Sequence, residues 1–231
     1  VPLHLTTLPD HPCVYLPNRS AMMRAFAITE LDPTLHHEFM NAGFRRSGRI
    51  IYQPVCRGCR QCLPLRVPVD RFQASKSQRR CWRKNQDLIV SEGPPQATDE
   101  KFDLYQRYQS TWHDKADETD RQSFESFLYE SPVNTREFCY RDPSGQLLGA
   151  GICDLCPESL SSVYFYHDLQ HAHRGLGVFS ALYEIETARQ RAIPFYYLGF
   201  WVEGCLSMTY KAQYRPHEIL HPDGVWREVV G

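Results

Sequence analysis

Residues 161 to 201 pass through four patterns in an order that few architectures accept. Ser161 to His167 alternates as a strand does, and Arg174-Gly175-Leu176-Gly177 then turns the chain. Val178 to Arg191 follows with Val178, Leu182, Ile185 and Ala188 on one helical face, and Pro194 to Trp201 reads as a further strand. Strand, glycine turn and helix make an anion cradle. Backbone amides at Gly175 to Phe179 stand at a helix amino terminus, where aligned dipoles favour a phosphate or a developing negative charge.

The flanking segments extend the pattern. Thr98 caps a helix from Asp99 to about Lys115, with Phe102, Tyr105, Tyr108 and Trp112 spaced for a core stripe. Ser123 to Tyr129 is a short helix stopped by Pro132, and extended segments run over Arg136–Arg141 and Gln146–Leu155 around a turn at Asp142-Pro143-Ser144-Gly145. A helix over Glu203–Tyr210 and a pair of strands around Pro222-Asp223-Gly224 close the chain. Hairpin, strand, glycine loop, helix, strand, helix and hairpin is the order of a GNAT-like acyltransferase fold. Ala172 stands where an acetyl-coenzyme A site usually has glutamine or arginine, which argues against a coenzyme A donor.

The first half has another character. Asp32-Pro33 starts a helix over Pro33–Ala42 with Leu35, Phe39 and Ala42 inward, and Gly43 ends it. Arg49–Tyr52 is a short strand, Leu65–Val69 is a strand that Pro68 assigns to a sheet edge, and Ser75–Leu88 has helical composition. Ser91-Glu92-Gly93-Pro94-Pro95 is the clearest break. It divides an α+β chain into a cysteine-containing, basic region, 1–95, and a GNAT-like acyltransferase domain, 96–231.

Cys56, Cys59 and Cys62 form a C-x2-C-x2-C run, a spacing that turns thiolates toward one soft metal or cluster, with Cys13 the remote fourth ligand and Cys81 second choice. An iron–sulfur cluster and zinc both suit four thiolates, as against three reduced, partly buried thiols. From Arg45 to Lys84 only Asp70 is acidic, in a chain of formal charge −1. That segregated block, with Arg45, Arg46, Arg66, Arg83 and Lys84 on it, fits nucleic-acid phosphates, and Tyr52, Phe72 and Trp82 among them suit base stacking. His36, His37, His171 and His173 lack a metal motif and read as surface or helix-terminal histidines.

Several phrases resemble the aminoacyl-tRNA-protein transferases, and among them the bacterial aspartate/glutamate leucyltransferases. They include Pro12-Cys13-Val14-Tyr15-Leu16-Pro17, Gly43-Phe44-Arg45-Arg46-Ser47-Gly48, Tyr52-Gln53-Pro54-Val55-Cys56, Ser75-Lys76-Ser77-Gln78-Arg79-Arg80, Tyr164-Phe165-Tyr166-His167-Asp168, Leu198-Gly199-Phe200-Trp201-Val202 and Met208-Thr209-Tyr210-Lys211-Ala212. The resemblance implies transfer of leucine from leucyl-tRNA to proteins that begin with Asp or Glu, marking them for the N-degron pathway. Related eukaryotic enzymes use arginine. Outside that resemblance stand a coenzyme A-dependent N-acetyltransferase and a non-catalytic nucleic-acid-binding redox module.

The donor ester is already activated, so the chemistry asks for positioning and for removal of a proton from the acceptor amine. Asp168 is the first candidate base and Glu203 the second, with Tyr210 and Lys211 as proton donor or oxyanion contact. Tyr164, Tyr166, Tyr197 and Trp201, with Gly175 and Gly177, are candidates to line the channel for the terminal adenosine and the acceptor. A cation from Lys76, Arg79 and Arg80 is expected to take the acceptor's acidic side chain or the tRNA. No run of eighteen apolar residues and no signal-like leader is visible, and nine cysteines without an export signal point to reduced thiols and the cytoplasm, away from any membrane.

Overall fold

The computed structural model describes residues 4–112 and 120–229, so Lys115, at the expected end of the long helix, and the side chain of Trp112 lie outside the described residues. An irregular arm carries β1 (Thr6–Thr7), β2 (His11–Pro12) and β3 (Ser20–Ala21). β4 (Met23–Ala27), α1 (Pro33–Asn41), β5 (Arg45–Ser47) and β6 (Ile50–Pro54) follow, and one sheet has the order β1-β4-β6-β5. α1 begins as read, with the Asp32 carboxylate accepting from the amides of Thr34 and Leu35 at 2.9 and 3.2 Å. Its inward face is corrected. His36, His37 and Met40 are buried and Leu35 is exposed, because the histidines find partners: the His37 ring is 2.9 Å from both Ser159 Oγ and the Asn41 amide.

β7 (Leu63–Pro68), α2 (Lys76–Lys84) and β8 (Ile89–Gly93) lead to α3 (Asp99–Trp112) and α4 (Arg121–Phe124), which runs on as a wide turn, Glu125–Tyr129. β9 (Thr135–Arg141), β10 (Leu147–Leu155) and β11 (Ser159–His167) form a meander. A 3-10 turn, Leu169–Arg174, enters α5 (Leu176–Gln190), followed by β12 (Phe195–Trp201), a second 3-10 segment, Leu206–Gln213, and the hairpin β13 (Glu218–Leu220) and β14 (Trp226–Glu228). The large sheet has the order β14-β13-β7-β12-β11-β10-β9-β8.

Four readings change. The break at Ser91–Pro95 does not divide two sheets, since β7, before it, and β8, which runs into it as far as Gly93, belong to the sheet built by residues after it. β7 is an interior strand; Pro68 is tolerated because β13 pairs only with Leu65 and Arg66, leaving Pro68 beyond that ladder. α2 stops at Lys84, where Asn85 turns its amide onto the carbonyls of Cys81 and Arg174, and the expected helix over Glu203–Tyr210 is the 3-10 segment three residues later.

Phe179, Leu182, Ile185 and Ala188 of α5 pack with Tyr196 and Leu198 on one face of the large sheet, and α2 lies beside them through Trp82. On the other face Tyr105, Phe124 and Leu128 cover Ile152 and Tyr166. Each such fully buried apolar side chain contributes about 1.5–3 kcal/mol relative to exposure, which makes the sheet a rigid platform.

Candidate active site

β11 and β12 run parallel but pair over only three residues, Ser159, Leu160 and Ser161 with Phe195, Tyr196 and Tyr197. Beyond Ser161 they part, while each keeps its outer neighbour: β11 stays on β10 as far as His167, and β12 stays on β7 as far as Trp201. A wedge opens in the middle of the sheet. At its mouth is a cavity of about 80 Å³ lined by Ser161, Ser162 and Val163 of β11, Gly199 and Phe200 of β12, and Arg45 and Tyr52 from the first sheet.

Adjacent residues of β5 supply two buried cations with different fates. Arg46 donates through Nε and Nη2 to the two carboxylate oxygens of Asp154, 2.8 Å each, and Thr135 Oγ1 donates to the same carboxylate. Burial would raise the Asp154 carboxyl, but the guanidinium outweighs it and holds it below its ordinary value. His36 lies 4.0 Å from Asp154, and burial keeps its ring below the usual imidazole range. Arg45 points into the cavity, with its Nη1 3.4 Å from Ser161 Oγ and its guanidinium 5.3 Å from the Tyr197 ring centre. Burial lowers it to about 10.

Lys211, on the second 3-10 segment, is 9% exposed and donates from Nζ to the carbonyl of Phe200 at 2.7 Å. Burial, then the charge of Arg45, lowers it to about 7, so near neutrality a large share of it is a free amine. Gly199 makes room for it. That residue has φ +85°, and a Cβ there would stand 3.4 Å from Nζ.

The glycine turn is built differently from the expected open cradle. Gly175 has φ +67° at the start of α5, but its own amide and those of Val178 and Phe179 already bond to carbonyls of the turn. α2 is docked on it: Cys81 Sγ donates toward the Gly175 carbonyl at 3.4 Å, and Lys84 Nζ donates to His173 O. The far side of α2 exposes Lys76, Arg79, Arg80 and Arg83, and Lys84 is exposed at its end. Gly177 follows in the first turn of α5, 4.0 Å from Phe165 measured from an added Cβ.

The structure separates several residues that sequence grouped. Asp168 is a buried cap: its carboxylate accepts from the Gln170 amide at 2.9 Å, five residues past Val163 and so roughly 16 Å along an extended strand. Glu203 is exposed on the turn after β12, and Tyr210 is 43% exposed. Tyr166 bonds the Tyr129 hydroxyl at 2.7 Å within the core, Tyr164 accepts from Gln109 under α3, and Trp201 packs against the main core. Tyr197 donates to Asn41 Oδ1 at 2.5 Å. Arg66 is clamped between the rings of Phe195 and Trp226, 3.8 and 4.2 Å from their centres, and bonded to Glu218. With Arg45 and Arg46 also interior, the basic surface expected from Arg45 to Lys84 is carried by the outer face of α2 and by Arg57 and Arg60 on the cysteine loop, while the exposed Arg49 and Arg71 are paired with Glu130 and Glu228. Sequence reasoning missed Asp154 and Ser161; the only signal was a carboxylate in an otherwise apolar strand.

Cys13, Cys56, Cys59 and Cys62 line one small cavity that Val202 closes, and all nine cysteines are free. Burial and the neighbouring thiols push Cys62 up to about 12. Cys56 is engaged with Met22, its sulfur 3.4 Å from the Met22 amide. Among the described residues no three His, Cys, Asp or Glu side chains converge as a ligand set, although the four cysteines expected to hold an iron–sulfur cluster or zinc share this one cavity. Among the described residues no helix is long and apolar enough to cross a membrane.

Known proteins with similar sequences and folds put this geometry in context. The family models described as "Arginine-tRNA-protein transferase, N terminus" and "Arginine-tRNA-protein transferase, C terminus" match residues 11–80 and 100–221. The aspartate/glutamate leucyltransferase of Hahella chejuensis is 37% identical over 218 residues, 93% of each chain, and that of Teredinibacter turnerae is 37% identical over 221 residues, 94% of this chain and 91% of the other. In fold, the chain is similar to L-PGS from Bacillus licheniformis, with a TM-score of 0.52 and 13% identity over 88% of this chain and 65% of that one. FemX gives 0.50 at 8% identity, over 87% and 80%. The fold is GNAT-like, with its strand wedge at the centre, and the chain belongs to the arginine-tRNA-protein transferase family.

Proposed function

We propose that this protein transfers leucine from leucyl-tRNA to the terminal α-amine of proteins that begin with Asp or Glu, tagging them for degradation. The observation that carries the reading is the 37% identity, over 93% of both chains, to a relative named for that activity. The wedge supplies a place for the reaction. Lys211, with a large neutral fraction near pH 7, accepts a proton from the acceptor ammonium. The freed amine attacks the ester carbonyl carbon. A carbon–nitrogen bond forms, the ester carbon–oxygen bond breaks, and the tRNA leaves as its ribose hydroxyl, carrying the second proton of the amine. The exposed cations of α2, beside the glycine turn that opens α5, hold the tRNA backbone.

The test is transfer of radiolabelled leucine and, in parallel, arginine from charged tRNA to peptides beginning with Asp, Glu, Lys or Ala. Leucine on the acidic peptides alone is the expected result. Arginine transfer would keep the chemistry and overturn the donor, and transfer of neither would overturn the reading.

A further inference from the structure

We propose that Arg45 is the specificity residue for the acceptor, binding the side-chain carboxylate of its first residue in the cavity where β11 and β12 part. This deepens the aminoacyl-transfer reading and rests on it. Arg45 is 7% exposed, and two of its three guanidinium nitrogens, Nε and Nη2, are buried without a hydrogen-bond partner. The third reaches Ser161 Oγ only at 3.4 Å. Its neighbour Arg46 uses the same two atoms, Nε and Nη2, to hold Asp154 at 2.8 Å each. The two arginines thus present the same fork. One grips a carboxylate of the chain, and among the described residues the other has no carboxylate within ion-pair distance.

A buried cation without a counter-charge is costly, and the Nε/Nη2 edge is the one that matches a carboxylate through two parallel hydrogen bonds. Among the described residues no carboxylate bonds Arg45: Asp154 lines the same cavity and acts on it through its charge, but its two oxygens are held by Arg46. The cavity of about 80 Å³ has room for a few heavy atoms and not for a nucleoside, which fits an acidic side chain better than the end of a tRNA. Lys211 approaches Gly199 on the same wedge, so the Arg45 guanidinium meets the side chain while the neutral Lys211 amine takes the acceptor's proton. The exposed Lys76, Arg79 and Arg80 are poorer readers, because water screens them and hydrates both charged partners.

The experiment begins with leucine transfer by the unaltered protein to peptides that differ only in beginning with Asp or Asn, and with binding of the same fluorescent peptides by anisotropy without tRNA. Absence of transfer would sink the underlying reading; equal affinity for the two peptides would sink the role of Arg45. Arg45→Gln is then expected to lower kcat/KM for the Asp peptide about 100-fold and to bring the Asp-to-Asn ratio toward one. An equal loss on both peptides, as for an oxyanion or tRNA contact, overturns the proposal. Ser161→Asp covers the case in which Arg45→Gln does not fold. It places a carboxylate beside Nη1, and it should raise Tm while blocking transfer to the Asp peptide. A folded Ser161→Asp protein that transfers to that peptide at the original rate overturns the proposal.

Discussion

Arg46 on β5 and Asp154 on β10 are joined by two hydrogen bonds of 2.8 Å, with both side chains out of water, and this pair ties the small sheet to the large one. It sets where the adjacent Arg45 can reach. Removing one partner strands the other, so Asp154→Ala should lower stability by about 3–5 kcal/mol in urea unfolding, and a paired Arg46→Met, Asp154→Leu variant should recover most of it. The folded carboxyl lies below its unfolded value. Its contribution is therefore complete above the unfolded pKa, near 4, and is lost as pH falls through the folded value.

The proton-accepting role of Lys211 predicts a rising limb in the pH profile. kcat/KM for an Asp-initiated peptide should climb tenfold per unit at acid pH and level off above about 7. Lys211→Met should cost about 100-fold and abolish the limb, and Lys211→Arg should not rescue it. Stability has its own signature. Because the folded pKa lies below the unfolded one, the unaltered protein should gain stability relative to Lys211→Met as pH rises from about 7 toward 10.5.

Gly199 is constrained by its φ of +85°, and a Cβ there would stand in ordinary contact with Lys211 Nζ, 3.4 Å away. Gly199→Ala should lower stability by about 1–2 kcal/mol through backbone strain. The added methyl would touch Lys211 Nζ without displacing it, so activity should fall no further than the unfolded fraction explains; kcat measured well below Tm checks this.

The exposed face of α2 predicts a salt effect. Arg80→Ala and Arg83→Ala should each weaken tRNA binding, with the slope of log K against log salt shrinking by about 0.7–0.9 per lost contact and Tm unchanged. Filter binding at several salt concentrations measures both quantities.

Cys62 is pushed up to about 12, so at pH 8 it should react with iodoacetamide far more slowly than an ordinary thiol. Mass spectrometry of alkylated protein reads this directly. Rapid labelling of Cys62 would mean that the cavity opens in solution.

Most elements were legible because their signals are local. The Asp32-Pro33 cap, the helical composition after Ser75 and the alternation of Ser161 to His167 needed no knowledge of distant chain. The functional centre was less so. Arg45 and Arg46 stand side by side in a basic run and read as one surface, yet what distinguishes them is a carboxylate 108 residues beyond Arg46 and a strand pair that separates after three residues. Asp168 carried the right chemistry at the wrong end of its strand. Lys211 was in view, but the burial that changes its proton affinity comes from tertiary packing.

The position of β7 also fixes a timetable. Its neighbours are β12 and β13, so a strand completed at Pro68 waits for Phe195–Trp201 and Glu218–Leu220 to be synthesised. At about 5–20 residues per second, the 152 residues between Pro68 and Leu220 take roughly 8–30 s. Until Trp201 is made, 133 residues past Pro68, the strand has neither partner, and its apolar side chains are left to the ribosome surface or a chaperone.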